Sequence, residues 1–405
     1  MKRFRRAPWP ALVALGLLAA AAPAGSGRGD RISAPGPDQG QTVARPQTSG
    51  PIADRLGWAR GEAAASRWEK GFWFGFGIRR LMGEHSSMGW YPWGGPDRQP
   101  TLDDLINGRK SPLEKKVARD QAVRGTAASM PAEARAFAAG QGGREEPERL
   151  VMKEIGLLFR FPAKAGDAPA DIRVSNLDLP FDLEGLPFVW AGMAESAESL
   201  AYLLPLYGRA VAEEDKRSLI RAIGLHREPA TVVPFVERIL AGKESAGTRA
   251  EAAGCLGEQD DPKALDLLLR TIESDPSEEV REAAVGGVVD MAIPAAAAAL
   301  VSLAVNGSSV DIRREAVRGL ADKATDAAVK TLLKISGGDK DPEVRQEAIH
   351  ALADLPGRSG LPYLIDLVRT HADADVRKEA VEAVGDIGGP EAVKMLAEWA
   401  KGRRR

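Results

Sequence analysis

Among the 405 residues, the side chains whose types could do chemistry are few: one cysteine, Cys255, and four histidines, His85, His226, His350 and His371. The histidines are scattered along the chain, whereas a zinc centre draws its ligands from closely spaced pairs, so no metal site is expected. There is no H-E-x-x-H, no G-x-x-x-x-G-K-[ST] and no G-x-S-x-G; Gly75-x-Gly77 reaches Arg80 where a dinucleotide fingerprint needs a third glycine. No catalytic residue, metal ligand or cofactor is expected. What does recur is a basic residue: Lys216, Arg249, Arg281, Arg313, Arg345 and Arg377, spaced by 33 and then by 32. A residue present in every repeat serves the repeat, so this column reads as a structural ladder and not as a site.

The elements that carry the column are helices. Four residues before its last five members stand Ser245, Ser277, Ser309, Asp341 and Asp373, all N-cap types. Two residues before it, Glu279, Asp311, Glu343 and Asp375 suit the positive end of a helix dipole. Small or aliphatic residues follow at +3, +4 and +7, as at Ala348, Ile349 and Leu352, which is one buried stripe. Pro229, Pro262, Pro294 and Pro390, in register with Asp326 and Arg358, mark the first turn of a second helix in each unit. Two helices per 32 residues predict a mainly α architecture: an α-solenoid of about six repeats over 191–405, with Leu200–Leu206 in register with the first helix type. Cys255 falls in the +6 column, whose other members are Ala222, Gly287, Gly319, Ala351 and Ala383; it reads as a compact filler.

Units such as DPEVRQEAIHALADL (341–355) and ADVRKEAVEAVGDIGGPEAVKMLAEW (374–399) resemble short HEAT repeats of the phycobilin-lyase-like kind, over roughly residues 195–405. The resemblance implies stacked helix pairs in which the basic residue bonds turn carbonyls or an acidic neighbour. Ankyrin and tetratricopeptide arrays have similar periods, but their T-P-L-H and W…L-G…Y signatures are missing. The iron-dependent deoxyhypusine hydroxylases of this repeat type carry His-Glu pairs, and this chain has none, so that activity is rejected. For the phycobilin lyases the similarity is to the repeat and not to a lyase motif. A lyase-type enzyme acting on a bulky, chromophore-like ligand remains one alternative.

If the repeats bind anything, the signal should be a column that varies. At +5 on the second helix stand Arg221, Gly254, Gly286, Arg318, His350 and Glu382. Of these Arg221, Arg318, His350 and Glu382 are the candidate binding residues, and drift on a solvated face is the competing explanation.

The N-terminal half is less regular. Lys2, Arg3, Arg5 and Arg6 precede the apolar run Ala11–Ala22 and the small-residue site around Ala24, so residues 1–24 read as a signal peptide, too short in its apolar part to span a bilayer. Its removal takes the net charge from −2 to −6, which argues against nucleic acid. Residues 25–55 read as a disordered linker, being rich in Gly, Pro, Ser and Gln. Residues 56–190 read as a small mixed α and β region in which Phe72, Phe74, Phe76 and Ile78 alternate as in a strand, with further strands over Ile155–Phe161, Ile172–Val174 and Leu177–Leu183. Trp73, Trp90 and Trp93, in the Trp-rich segment 68–93, could stack a glycan or another flat ligand; the other reading makes these rings a small core. The expectation is an exported, non-catalytic scaffold, periplasmic or extracellular, with no transmembrane segment after cleavage and a protein partner on the solenoid.

Overall fold

The computed structural model describes residues 43–46, 50–84, 86–89, 100–107, 150–163 and 168–402. The signal peptide, Trp90, Trp93 and the arginines after Gly402 lie outside them. The chain forms two compact units that meet in sequence at Ser199 and Leu200.

The first unit is a five-stranded sheet of order β1-β5-β2-β3-β4, made by β1 (Val43–Ala44), β2 (Phe72–Gly83), β3 (Leu150–Phe161), β4 (Asp171–Asn176) and β5 (Phe188–Met193). Antiparallel pairing of β2 with β3 sets Phe74 against Phe159 and Phe76 against Leu157, while β5 runs parallel to both β2 and β1. The period-2 aromatics of β2 thus share one face, on which Phe74, Phe76 and Phe159 are fully buried. On the opposite face, Trp73, Leu158, Phe188 and Trp190 pack with Leu102, Leu105 and Ile106 of α2 (Leu102–Ile106) and with Phe181 and Leu183. A sheet buried on both faces explains a run as apolar as FWFGFGI. Glycines at 75 and 77 fit the same logic, since a Cβ on Gly75 would lie 2.7 Å from Leu158.

Three expectations need correction here. Part of the stretch read as a linker is ordered: Val43 and Ala44 pair with Phe188 and Val189, and α1 (Ile52–Ala65) begins at Ile52. Backbone pairing and the burial of Ile52, Leu56 and Ala59 supply what the polar composition hid. Leu177–Leu183 is not a strand; its apolar side chains fold over the sheet, with a single bridge from Pro180 to Thr101. The sheet also runs past residue 190, to Met193.

The second unit is the repeat array. Its first-type helices are α3 (Ser196–Arg209), α5 (Pro229–Leu240), α7 (Pro262–Ser274), α9 (Pro294–Asn306), α11 (Asp326–Gly338), α13 (Leu361–Thr370) and α15 (Pro390–Gly402). Between them lie the second-type helices α4 (Glu213–Gly224), α6 (Ala246–Leu256), α8 (Glu278–Asp290), α10 (Val310–Lys323), α12 (Pro342–Ala353) and α14 (Ala374–Ile387). Among the described residues, seven first-type helices thus alternate with six second-type helices. N-caps form as their residue types require: Ser245 Oγ accepts from Thr248 N and Asp373 Oδ1 from Asp375 N. The proline register slips once. Arg358 lies in a 3₁₀ turn, and α13 starts only at Leu361.

Consecutive second-type helices come close because +8 of one layer meets +6 of the next. Gly224 faces Cys255, Gly257 faces Gly287 and Val289 faces Gly319. Cys255 is buried here and in no disulfide, as a filler of this column would be. A Cβ on Gly257 would lie 2.7 Å from the Gly287 carbonyl oxygen, backbone that no rotamer change can clear. Gly257→Ala should therefore lower stability by about 1–3 kcal/mol, read from the denaturant midpoint. Gly286→Ala, where a Cβ meets nothing within 4 Å, should be neutral or slightly stabilising; equal losses at both sites would contradict this packing.

Candidate functional site

The sequence placed one of its two candidate binding surfaces on the second-type helices, whose charged side chains are described first. The basic column sits in the turns. Arg249 donates to Asp275 through Nε and Nη2, at 2.9 and 3.0 Å, and through Nη1 to the carbonyl of Glu244. Arg281, Arg345 and Arg377 donate to the turn carbonyls of Asp275, Asp339 and His371, each six residues back. Lys216 pairs with Glu244, and buried Arg313 reaches the Gly307 carbonyl and, at 3.7 Å, Asp339. Arg249 and Arg313 thus tie their own turn to the acid of the following one. Burial pushes Asp275 up, but the Arg249 hydrogen bond and the Ser277 amide outweigh it and hold the carboxyl below its usual range.

His371 occupies the place of Asp275 and Asp339. Its Nδ1 accepts from Asp373 N as their carboxylates accept from Ser277 N and Asp341 N, so it belongs to the turn.

The variable +5 column has a different fate from the one expected. Arg221 bonds Glu251 of the next layer at 3.2 Å, Arg318 bonds Glu347 at 2.9 and 3.1 Å, and His350 Nε2 lies 2.7 Å from Glu379. Three of the four residues offered as ligand contacts are engaged by the +2 glutamate of the neighbouring repeat. Variation here follows the pairing between layers. Glu382 is exposed and faces Lys378 of its own helix at 3.7 Å. The missed signal was a second column, Glu251, Glu347 and Glu379, whose members sit 30 or 29 residues after Arg221, Arg318 and His350.

The ladder has a gap. Gly254 and Gly286 offer no cation, and there the carboxylates of Glu278, Glu282 and Asp311 all lie within 4.8 Å of one another. Burial, then Asp311, Glu278 and Glu315, raise the Glu282 carboxyl. No ion-pair partner is recorded for Glu278 or Glu282 among the described residues.

Trp73 is not a stacking platform. It is fully buried, edge-on to Phe181 and covered by the Arg173 guanidinium 4.8 Å from its ring, so no ligand can reach it. Large rings fill this small core.

A second titrating group lies where the close-approach column ends. Burial, then Glu258, push Asp290 up to about 7, while Lys323, which donates to the Met291 carbonyl, acts in the opposite sense.

A family model described as HEAT repeats matches residues 200–288, 297–374 and 339–404. No curated protein matches the sequence. Among solved structures, the complex of CpcE and CpcF of phycocyanin lyase from Nostoc sp. PCC7120 is 23% identical, covering 38% of this chain and 98% of that one at a TM-score of 0.30. Human deoxyhypusine hydroxylase in complex with glycerol is 20% identical over 50% of this chain and 78% of its own, at 0.22.

Two outcomes follow from the geometry. Arg249→Met should cost about 1–3 kcal/mol at pH 7. Because the folded Asp275 pKa is depressed, that stabilisation is present above the ordinary carboxylate range and fades as pH falls through the folded value, so the gap between the two proteins should narrow in thermal melts as pH is lowered below the ordinary carboxylate range. Asp290 behaves oppositely. Its folded pKa is raised, so its contribution is complete below the ordinary carboxyl value of 3.8 and is lost as pH climbs through about 7. Asp290→Asn should match the parent at pH 4 and exceed it by on the order of 1–3 kcal/mol at pH 8. From residue 200 onward, the chain is an array of HEAT repeats.

Proposed function

We propose that this is an exported, non-catalytic interaction module whose second-helix face holds a cationic polypeptide segment of a partner protein. The observation that carries the reading is the gap in the ladder. Elsewhere on the face, acids are matched by cations of the adjoining layer. Around α8 and α10, Glu278, Glu282 and Asp311 crowd together, Asp311 meets Arg314 of its own helix at 3.7 Å, and the +5 positions of α6 and α8 are glycines. An incoming lysine or arginine relieves that repulsion, and the open space over Gly286 gives it room. HEAT repeats commonly serve protein association, which supports the same reading, as does the lack of any catalytic signature in the repeats.

Export rests on residues 1–24, with their basic start and short apolar run. No helix among the described residues is long and apolar enough to cross a membrane. An exported mature chain should begin at Gly25, which mass measurement of the protein from the culture or periplasmic fraction checks.

For binding, a fluorescent Lys/Arg-rich peptide titrated with the full chain should show saturable anisotropy. Raising salt from 50 to 300 mM should weaken it roughly tenfold, and Glu282→Lys with Asp311→Lys should weaken it by at least about tenfold. Equal binding of an acidic peptide of the same length, or indifference to the double substitution, would overturn the proposal.

A further inference from the structure

Among the described residues, α9 is the one first-type helix with no charged side chain. Its neighbours show charges to solvent, Lys263, Asp266 and Arg270 on α7 and Lys330 and Lys334 on α11. On α9 the exposed positions are Ala295, Ala298, Ser302 and Val305, the last of them 40% exposed. At 3.6 residues per turn these four and Asn306, the last residue of the helix, fall within about 100° of one another. Asn306 thus shares the uncharged face. With Gly307 and Ser308 it makes Asn-x-Ser, the acceptor sequence for an asparagine-linked glycan. The chain's two other asparagines have no hydroxyl two residues on: Asn107 is followed by Gly108 and Arg109, and Asn176 by Leu177 and Asp178.

The turn that holds this tripeptide departs from its counterparts. Asp275, Asp339 and His371 each accept through their side chains from the amide two residues on, and Gly307 stands in their place. Asn306 and Ser308 are exposed, and no hydrogen bond is recorded for either side chain among the described residues. Ser309 is different, because its Oγ caps α10 by accepting from Ile312 N at 3.1 Å. The acceptor amide and the hydroxyl two residues on are therefore both presented to solvent, and neither is used by the fold.

We propose that Asn306 is a glycosylation site and that its glycan lies along the uncharged outer face of α9. The donor is an oligosaccharide carried on a lipid diphosphate. Asn306 Nδ2 forms a bond to the anomeric carbon of the first sugar, and the bond from that carbon to the phosphate oxygen breaks. The electron pair leaves with the lipid diphosphate, and one amide proton passes to a base of the transferring enzyme. Nothing is oxidised or reduced. The glycan then supplies hydroxyl groups where the neighbouring first-type helices supply charges, and it covers Val305 and the alanines beside it. The inference rests on the export proposed above, since this acceptor sequence is used in secreted chains. It does not depend on the cationic partner.

Peptide mass spectrometry of the full chain, recovered from the culture or periplasmic fraction of the producing cells, tests it. The peptide containing Asn306 should carry a sugar mass, and amidase release in heavy-oxygen water should leave labelled aspartate at that position. Asn306→Gln and Ser308→Ala should each abolish the modification without changing the circular dichroism spectrum. Ser309→Ala should lower the melting temperature through the lost cap yet keep the glycan. A chain that begins at Gly25 with Asn306 unmodified overturns this inference and leaves export standing. A chain that keeps residues 1–24 and bears no sugar overturns both, and a sugar that survives Asn306→Gln overturns the assignment to this site.

Discussion

The near contact of consecutive second-type helices governs the repeat array. Where Gly257 faces Gly287 and Gly224 faces Cys255, two backbones run closer than ordinary side chains allow. At that separation the aliphatic residues at +4 are sealed, and residues at +5 and +2 of adjoining layers fall within hydrogen-bonding reach. The electrostatic pattern of the face is therefore a consequence of packing. It also sets the stability logic: each layer buries its apolar stripe on its neighbours, so no single pair of helices carries a core of its own.

Two sets of charges result, with different duties. Those in the turns hold the turn carbonyls, as Arg281, Arg345 and Arg377 do, and at Arg249 and Arg313 also reach the acid of the next turn. Those on the helices, such as Arg318 and Glu347, join layer to layer across the second-helix face. Where the second set lapses, at Gly254 and Gly286, the carboxylates of Glu278, Glu282 and Asp311 crowd together, and the proposed preference for cations rests there. Binding capacity in this account is a rung left out of a structural device.

The repeats were legible because a 32-residue period imposes itself on caps, charges and apolar stripes together; Ser309, Arg313, Ala316 and Leu320 each point to the same helix. The role of the +5 column was not legible by the same means. Its partners lie 29 or 30 residues away, and variation among Arg221, Arg318 and His350 looks like recognition unless the glutamates at +2 are read beside it. In the sheet unit, alternation announced β2 but could not show that both of its faces are covered, which is what removes Trp73 from any ligand's reach. Leu177–Leu183 has the composition of a strand because it lies on a sheet, and composition alone does not separate covering from pairing. Val43 and Ala44 lie in a polar stretch and take their order from β5, sequence-distant information that no local pattern holds.

The central claim is that the charges of the second-helix face act between layers. A double-mutant cycle on Arg318 and Glu347, replacing each by alanine singly and together and measuring unfolding free energy in urea, tests it most directly. The account predicts a favourable coupling of about 0.5–2 kcal/mol between these residues of different repeats. Single losses that simply add would contradict it.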